Sequence, residues 1–501
     1  MTGPYEPSGY NIICRLADGR ALVHNTASGA TALLERAEVA VLDHGSESGA
    51  GSGVGGVAAE LVAAGFLQPR ERNELAALED EYWRTRNNPA TQVLTVAPTL
   101  ACNFGCDYCF QGTDKPVGRM PPRVQDALVD FVAAALSPGR RLHISWYGGE
   151  PLMAKDIVYR LSERFAELVN DMQDAAYDAV IVTNGYLLDE DAAAALWQHG
   201  VRLAQITIDG RSDFHNARRA LLKGTATYDR ILRNIQNALL TTGMRITVRV
   251  NIDDRNRASI EDLLWDLAAR GLAETGRFSV YFAPVEAITQ GCHAVSEATM
   301  TKQEYAVLET SLQRLAFELG LAPLPYPRRF LGICGALAPD GVVCAPNGDL
   351  HKCWDTISMP HLKVGSLLDG KARFKQERLS DWARWSPFEQ AACRNCRLLP
   401  SCGGACAHKF VNPEQTAGEA ASLPCPSWKY DIKRRLLTYA VANGLLSGAE
   451  AAAADFVTTR ADVVLDPGGV VSHEDLAGVK PARVDPAGLA GGRRLLPLEV
   501  V

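Results

Sequence analysis

At 501 residues the chain exceeds what one ordinary hydrophobic core organises, so two to four domains are expected. A net charge of -7, with no basic arm or aromatic-interleaved Arg/Lys stripe, excludes a general nucleic-acid binder. There is no run of about 18 uninterrupted apolar residues, and the first residues lack a secretory signal's charged and apolar regions, so a cytoplasmic protein with no membrane partner is expected.

In chain order, YNIICRL, a turn at Asp18-Gly19 and ALVHN read as a hairpin over residues 10–25. Helical segments at 30–43 and 56–65 flank a Gly/Ser-rich loop, SESGAGSGVGG, and residues 1–75 together suggest a small winged-helix-like module. A charged linker over 76–92 is expected to be helical through i,i+4 pairing.

From residue 93 to 325 the pattern becomes α/β. Apolar, β-rich runs at 93–97, 142–147, 179–183, 203–208, 245–250 and 278–283 alternate with amphipathic segments. In 122–136, Val124, Ala127, Leu128, Phe131, Val132 and Ala135 share one helical face. Six such units imply a parallel sheet with covering helices, either doubly wound or a partial (βα)6 barrel. CNFGCDYC, GGEP, TNG, DG, NIDD and PVE each follow one of the six strands, at the end where barrels of this kind carry their chemistry. Residues 326–446 are rich in Gly, Pro and Cys with little periodicity, so metal or clusters are expected to hold them. The tail, 447–501, carries no chemical signal.

Eleven of the 13 cysteines fall in two tracts, 102–109 and 334–425, leaving Cys14 and Cys292 as unassigned ordinary thiols. In a non-secreted chain this distribution favours metal or cluster ligation over disulfides. Cys102, Cys106 and Cys109, spaced C-x3-C-x2-C just after a strand, can hold three corners of a cubane and leave its fourth iron open; a zinc knuckle is the plainer alternative.

That loop, with Tyr108 before its last cysteine, resembles the signature of the radical S-adenosylmethionine (SAM) superfamily. The resemblance implies a [4Fe–4S] cluster whose open iron is chelated by SAM, and reductive cleavage to a 5′-deoxyadenosyl radical that abstracts a substrate hydrogen. Gly148, Gly149, Glu150 and Pro151 resemble the family's GGEP motif, with the acid expected to meet the SAM ammonium. Asn184 in Thr183-Asn184-Gly185, Thr207, Asp209 before Gly210, Arg249 and Asn251 resemble positions that line the SAM pocket. Relatives carry a His-Asp pair where this chain has His215 and Asn216, which leaves that role open.

Cys334, Gly348-x4-Cys353, the run Cys393-x2-Cys396-x5-Cys402-x3-Cys406, and Cys425 resemble the seven-cysteine SPASM extension of peptide-modifying radical SAM enzymes. Two auxiliary [4Fe–4S] clusters are implied, one on Cys334, Cys353 and Cys406, the other on Cys393, Cys396, Cys402 and Cys425. Cys344 is assigned as the fourth ligand of the first. Three clusters and SAM are thus the expected cofactors. Residues 8–70 resemble PqqD-like modules, which add a leader peptide to a sheet edge.

A maturase that crosslinks a ribosomally made precursor peptide through a thioether, ether or carbon–carbon bond is the leading expectation, with flavodoxin or ferredoxin as electron donor. The alternatives are a formylglycine-forming enzyme like the anaerobic sulfatase maturases, and a non-catalytic electron-transfer or scaffold protein. Sulfatase-maturase relatives place an acid directly after the third auxiliary cysteine position. Here Trp354 follows Cys353 and Asp355 comes next, which makes Asp355 the candidate for proton removal.

Overall fold

The computed structural model describes residues 4–44, 54–88, 90–112, 115, 117–324, 326, 328–330, 334–372, 374–417 and 425–454. The Gly/Ser-rich loop over 45–53 and the tail beyond 454 lie outside the described residues.

The expected hairpin is formed by β2 (Asn11–Arg15) and β3 (Ala21–Asn25), which pair antiparallel around a turn where Gly19 has a φ of 86°. It is framed by β1 (Tyr5–Pro7) and β4 (Thr31–Leu34). Residues 31–34 are therefore strand where helix was expected. The composition of TALLER suits a helix, but pairing of Thr31–Leu34 with β3 decides the outcome. Helices α1 (Arg36–His44) and α2 (Val54–Ala63) follow, then β5 (Leu67–Pro69), which pairs with β1. The linker forms α3 (Glu74–Arg86), capped by the Asn73 side chain on the Ala76 amide.

The six expected strands all form: β6 (Thr91–Val96), β7 (Arg141–Trp146), β8 (Ala176–Thr183), β9 (Val201–Thr207), β10 (Arg245–Ile252) and β11 (Phe278–Pro284). Each is parallel to its neighbour, and their spatial order follows the chain without reversal. A doubly wound sheet reverses at a switch point. This one winds in a single direction, as a partial barrel does. Leu94, Leu142, Ile144, Ala179, Ile181, Ala204, Ile206, Ile246 and Val248 have no exposure and form the core.

The cysteine-rich region prolongs this sheet. β12 (Val342–Cys344) lies parallel on the outer edge of β6, and β13 (Asp349–His351) and β14 (Gly365–Ser366) follow antiparallel. The helix Ile432–Ala442 then returns to the N-terminal module, where Ile12, Cys14 and Leu22 pack with Leu436, Leu437 and Ala440. Among the described residues no helix is long and apolar enough to cross a membrane.

Candidate active site

A cavity of about 330 Å3 opens at the C-terminal ends of the parallel strands. Its lining joins Cys102, Cys106 and Cys109 with Thr183, Asn184, Thr207 and Asn251 from the strand ends, and with Trp354 and Asp355 from the cysteine-rich region.

The cysteine loop is lashed in place from several sides. Gly105 and Leu222 amides donate to Ala220 and Asn103 carbonyls, Lys115 Nζ donates to the Phe104 carbonyl at 3.0 Å, and Thr289 Oγ1 to the Phe110 carbonyl at 2.7 Å. Asp107 accepts from Arg218 at 3.0 Å and Arg255 at 2.6 Å, and both arginines also reach the fully buried Asp253. Asn184 Nδ2 donates to Asn103 Oδ1 at 2.8 Å. Burial pushes the Cys102 thiol up to about 11, with Lys115 the strongest opposing influence, so ligation there is coupled to proton release.

Gly148 and Gly149 form the cavity floor against the start of this loop. A Cβ on Gly148, whose φ is 118°, would stand 2.3 Å from the Thr99 carbonyl oxygen; one on Gly149 would stand 2.2 Å from that of Ala101. Only glycine fits either position, and the result is bare backbone facing the cavity.

Glu150, expected to meet the SAM ammonium, turns away from the cavity. Its carboxylate has no exposure and accepts from the Leu152 amide at 3.0 Å, the Thr183 hydroxyl at 2.7 Å and the Asn184 amide at 2.7 Å. Burial raises its pKa and these donors oppose the rise. The acid ties the ends of β7 and β8 together, while Pro151 is buried in the turn behind it. Neither residue lines the cavity.

Asp209 is also withdrawn. It is fully buried and accepts from the Tyr108 hydroxyl and, at 3.1 Å, from the Asn251 amide. Arg219 and Asn251 Nδ2 donate to the same hydroxyl, and the Arg218 guanidinium lies 4.5 Å from the Tyr108 ring centroid. Burial pushes the Tyr108 hydroxyl well above its usual range, so it stays protonated and donates to Asp209. Arg249 Nε donates to Asn251 Oδ1 at 2.7 Å. His215 is buried, held far below its usual pKa first by burial and then by Arg219, and meets the Asp209 amide and Thr227 Oγ1. Asn216, in place of the relatives' acid, accepts from the Thr227 and Tyr228 amides and caps the following helix, Tyr228–Thr241.

The remaining cysteines fall into two neighbourhoods. Cys353 is raised by burial and then by negative charge on Asp355, Cys406 and Cys334; Cys402 is pushed up to about 12 by burial, with Cys396, Cys393 and Cys425 as neighbours. These are the two sets the sequence grouped. Among the described residues, no three Cys, His, Asp or Glu side chains are gathered tightly enough for one metal ion, whose ligands in a zinc site would stand about 2.0–2.3 Å from it.

Cys344, expected as a fourth ligand of the first set, is placed apart from both. It is fully buried on β12 opposite Val96 and Leu350, in the sheet core, and apart from burial only Asp349 acts on its thiol. Asp355 Oδ2 lies 3.5 Å from Cys353 Sγ.

Arg219, Lys115, Gln205, Tyr147 and the thiol of Cys292 also line the cavity, and no motif marks them; Glu286 of the PVE motif lines it too. Glu286 accepts from Lys409 Nζ at 2.7 Å and Lys302 Nζ at 3.2 Å, joining the end of β11 to the cysteine-rich region.

Residues 96–264 match the family profile described as the Radical SAM superfamily. The mycofactocin maturase MftC of Mycobacterium tuberculosis is 26% identical over 332 residues, which span 63% of this chain and 78% of that protein. The serine-type anaerobic sulfatase-maturating enzyme of Klebsiella aerogenes is 24% identical over 335 residues, 61% and 77% of the two chains. The solved structure of native anSMEcpe with bound AdoMet and Kp18Cys peptide aligns with a TM-score of 0.52 at 16% identity, over 71% of this chain and 98% of that one, a likeness of fold.

Proposed function

The chain belongs to the radical SAM superfamily, and on that premise we propose that it is a maturase that installs a crosslink in a ribosomally made precursor peptide. The observation that carries this reading is a single cavity walled on one side by the three-thiol loop and on the other by Trp354 and Asp355, which flank the second thiol group. When bound, the cluster and SAM supply a 5′-deoxyadenosyl radical that takes a hydrogen atom from the substrate.

Cys102, Cys106 and Cys109 hold that cluster in this reading. The bare backbone of Gly148 and Gly149, with Asn184, Thr207, Arg249 and Asn251, forms the bed for SAM, and the cavity is of the size small-molecule sites occupy. Tyr108 acts beneath it as a positioning residue, its hydroxyl fixed by Asp209, Arg219 and Asn251. Glu150 acts at one remove, by holding the Asn184 amide.

The groupings of Cys334, Cys353 and Cys406, and of Cys393, Cys396, Cys402 and Cys425, support two auxiliary clusters. Replacing Cys353 by alanine is then expected to lower bound iron by about four atoms per chain. Cys344→Ala should leave iron content unchanged, as measured on anaerobically reconstituted protein. Equal losses in both variants would restore Cys344 as a ligand.

The N-terminal module serves as the leader-peptide site. The outer edge of β4 supports this, since β4 has a strand partner on one side only among the described residues, whereas Arg397 meets the Asn11 carbonyl of β2 at 2.9 Å. A flavodoxin or ferredoxin supplies electrons. The test is co-expression with a candidate precursor peptide, taken from any short open reading frame found beside this gene. A loss of two hydrogens in a segment that resists backbone fragmentation supports the crosslink, and an unmodified peptide under SAM turnover refutes it.

Asp355 at the cavity wall keeps formylglycine formation as a second reading, because an acid there can accept a substrate proton. A hydrazine-trappable carbonyl in the product would select it.

A further inference from the structure

Three aromatic rings stand in a row across the cavity wall. Phe110 stacks on Tyr147 with centroids 5.8 Å apart at 25°, and Tyr147 stacks on Trp354 at 5.0 Å and 23°. Each ring is the chain neighbour of a different part of the site. Phe110 follows Cys109, Tyr147 precedes Gly148, and Trp354 follows Cys353. The row thus runs from the first thiol loop to the second thiol group, and all three residues line the cavity.

Trp354 is the exposed end of the row, Phe110 at the other end being half-buried. Tyr147 lies between its two neighbours, whereas Trp354 rests on Tyr147 and keeps 41% of its surface exposed. An indole left partly in water on the cavity wall is a surface awaiting an apolar partner. The charges nearby define that partner further. Carboxylates (Asp355, Glu286) and cations (Arg249, Arg219, Lys115) line the same cavity, so a charged side chain stacked there would be drawn by one set and repelled by the other. A neutral, flat ring satisfies both the geometry and the electrostatics.

We propose that Trp354 is a specificity-determining residue whose open face stacks an aromatic side chain of the peptide substrate, holding it between the two groups of thiols. The inference rests on the peptide-maturase reading and names the class of residue that enters the cavity. Offset ring pairs at centroid separations of 4.5–7 Å add stabilisation beyond the area they bury, enough for a preference of about fivefold over an aliphatic side chain.

The test uses the reconstituted holoenzyme with SAM and N-acetyl tripeptide amides Gly-Xaa-Gly, where Xaa is tyrosine, phenylalanine, cyclohexylalanine, leucine or lysine. Affinities are read by saturation-transfer NMR. Tyrosine and phenylalanine peptides should bind about fivefold more tightly than leucine and cyclohexylalanine, the latter matching the ring in size without its π face. Trp354→Ala should bring that ratio to about one, and Trp354→Phe should retain most of it, an outcome that a merely structural role would not give. Equal binding of all peptides, tightest binding of lysine, no binding of any, or a ratio indifferent to Trp354→Ala overturns the inference. Deoxyadenosine formation by the same wild-type preparation separates the two claims. If it is present while the preference is absent, only this inference fails; if it is absent, the enzymatic reading fails.

Discussion

Replacing Cys106 by alanine is expected to abolish 5′-deoxyadenosine formation from SAM under anaerobic reduction, with a fall of at least about a thousandfold against wild type, and to lower bound iron by about four atoms. In the proposed reading the thiols of Cys102, Cys106 and Cys109, which line the cavity together, are the ligands of the SAM-binding cluster, and a cubane with one open iron has no ligand to spare. The fold should survive the change. The loop is held by backbone contacts to Ala220 and Leu222, by the Asp107 ion pairs and by the fully buried Phe104. Far-ultraviolet circular dichroism should therefore match wild type while deoxyadenosine disappears. A variant that still cleaves SAM would remove the basis of the enzymatic reading.

The strands were legible because each is an apolar run closed by a polar motif, and the same periodicity placed those motifs at one end of the sheet. Which motif residues face the cavity was not legible. Gly148-Gly149-Glu150 reads as one unit along the chain, yet the two glycines present backbone to the cavity while the acid turns inward to Thr183 and Asn184. Cysteine spacing suggested two groups of thiols but could not tell the position of Cys344. Its orientation is set by pairing of β12 with β6, a contact between segments far apart in sequence. The same distance hid the docking of the N-terminal sheet on the helix Ile432–Ala442. Arg219 carries no pattern at all. A second arginine after a short helix looks like a solvated residue until folding buries it beside Tyr108.

The linker residue Arg86 is expected to be the largest single determinant of how the cysteine-rich region is held. Its side chain is buried and donates to four backbone carbonyls, those of Leu337 at 3.1 Å, Trp385 at 2.7 Å, Trp382 at 2.8 Å and Ala383 at 3.1 Å. It also donates to the Tyr82 hydroxyl at 3.3 Å and sits 4.9 Å from the Trp83 ring centroid. Three of those carbonyls end the helix Gln376–Arg384, where the last turn has no intrahelical donors left, so truncation strips several buried acceptors of a charged donor at once. Such a loss costs about 3–5 kcal/mol, far above a typical surface substitution. For Arg86→Ala we expect hydrogen exchange in residues 334–341 and 382–386 to accelerate by at least about a hundredfold, while β7 to β9 keep their protection. Arg86→Lys should recover little, because one ammonium cannot span four carbonyls that a planar guanidinium reaches together. Unchanged exchange in both segments would mean that α3 is not what fastens the cysteine-rich region to the barrel.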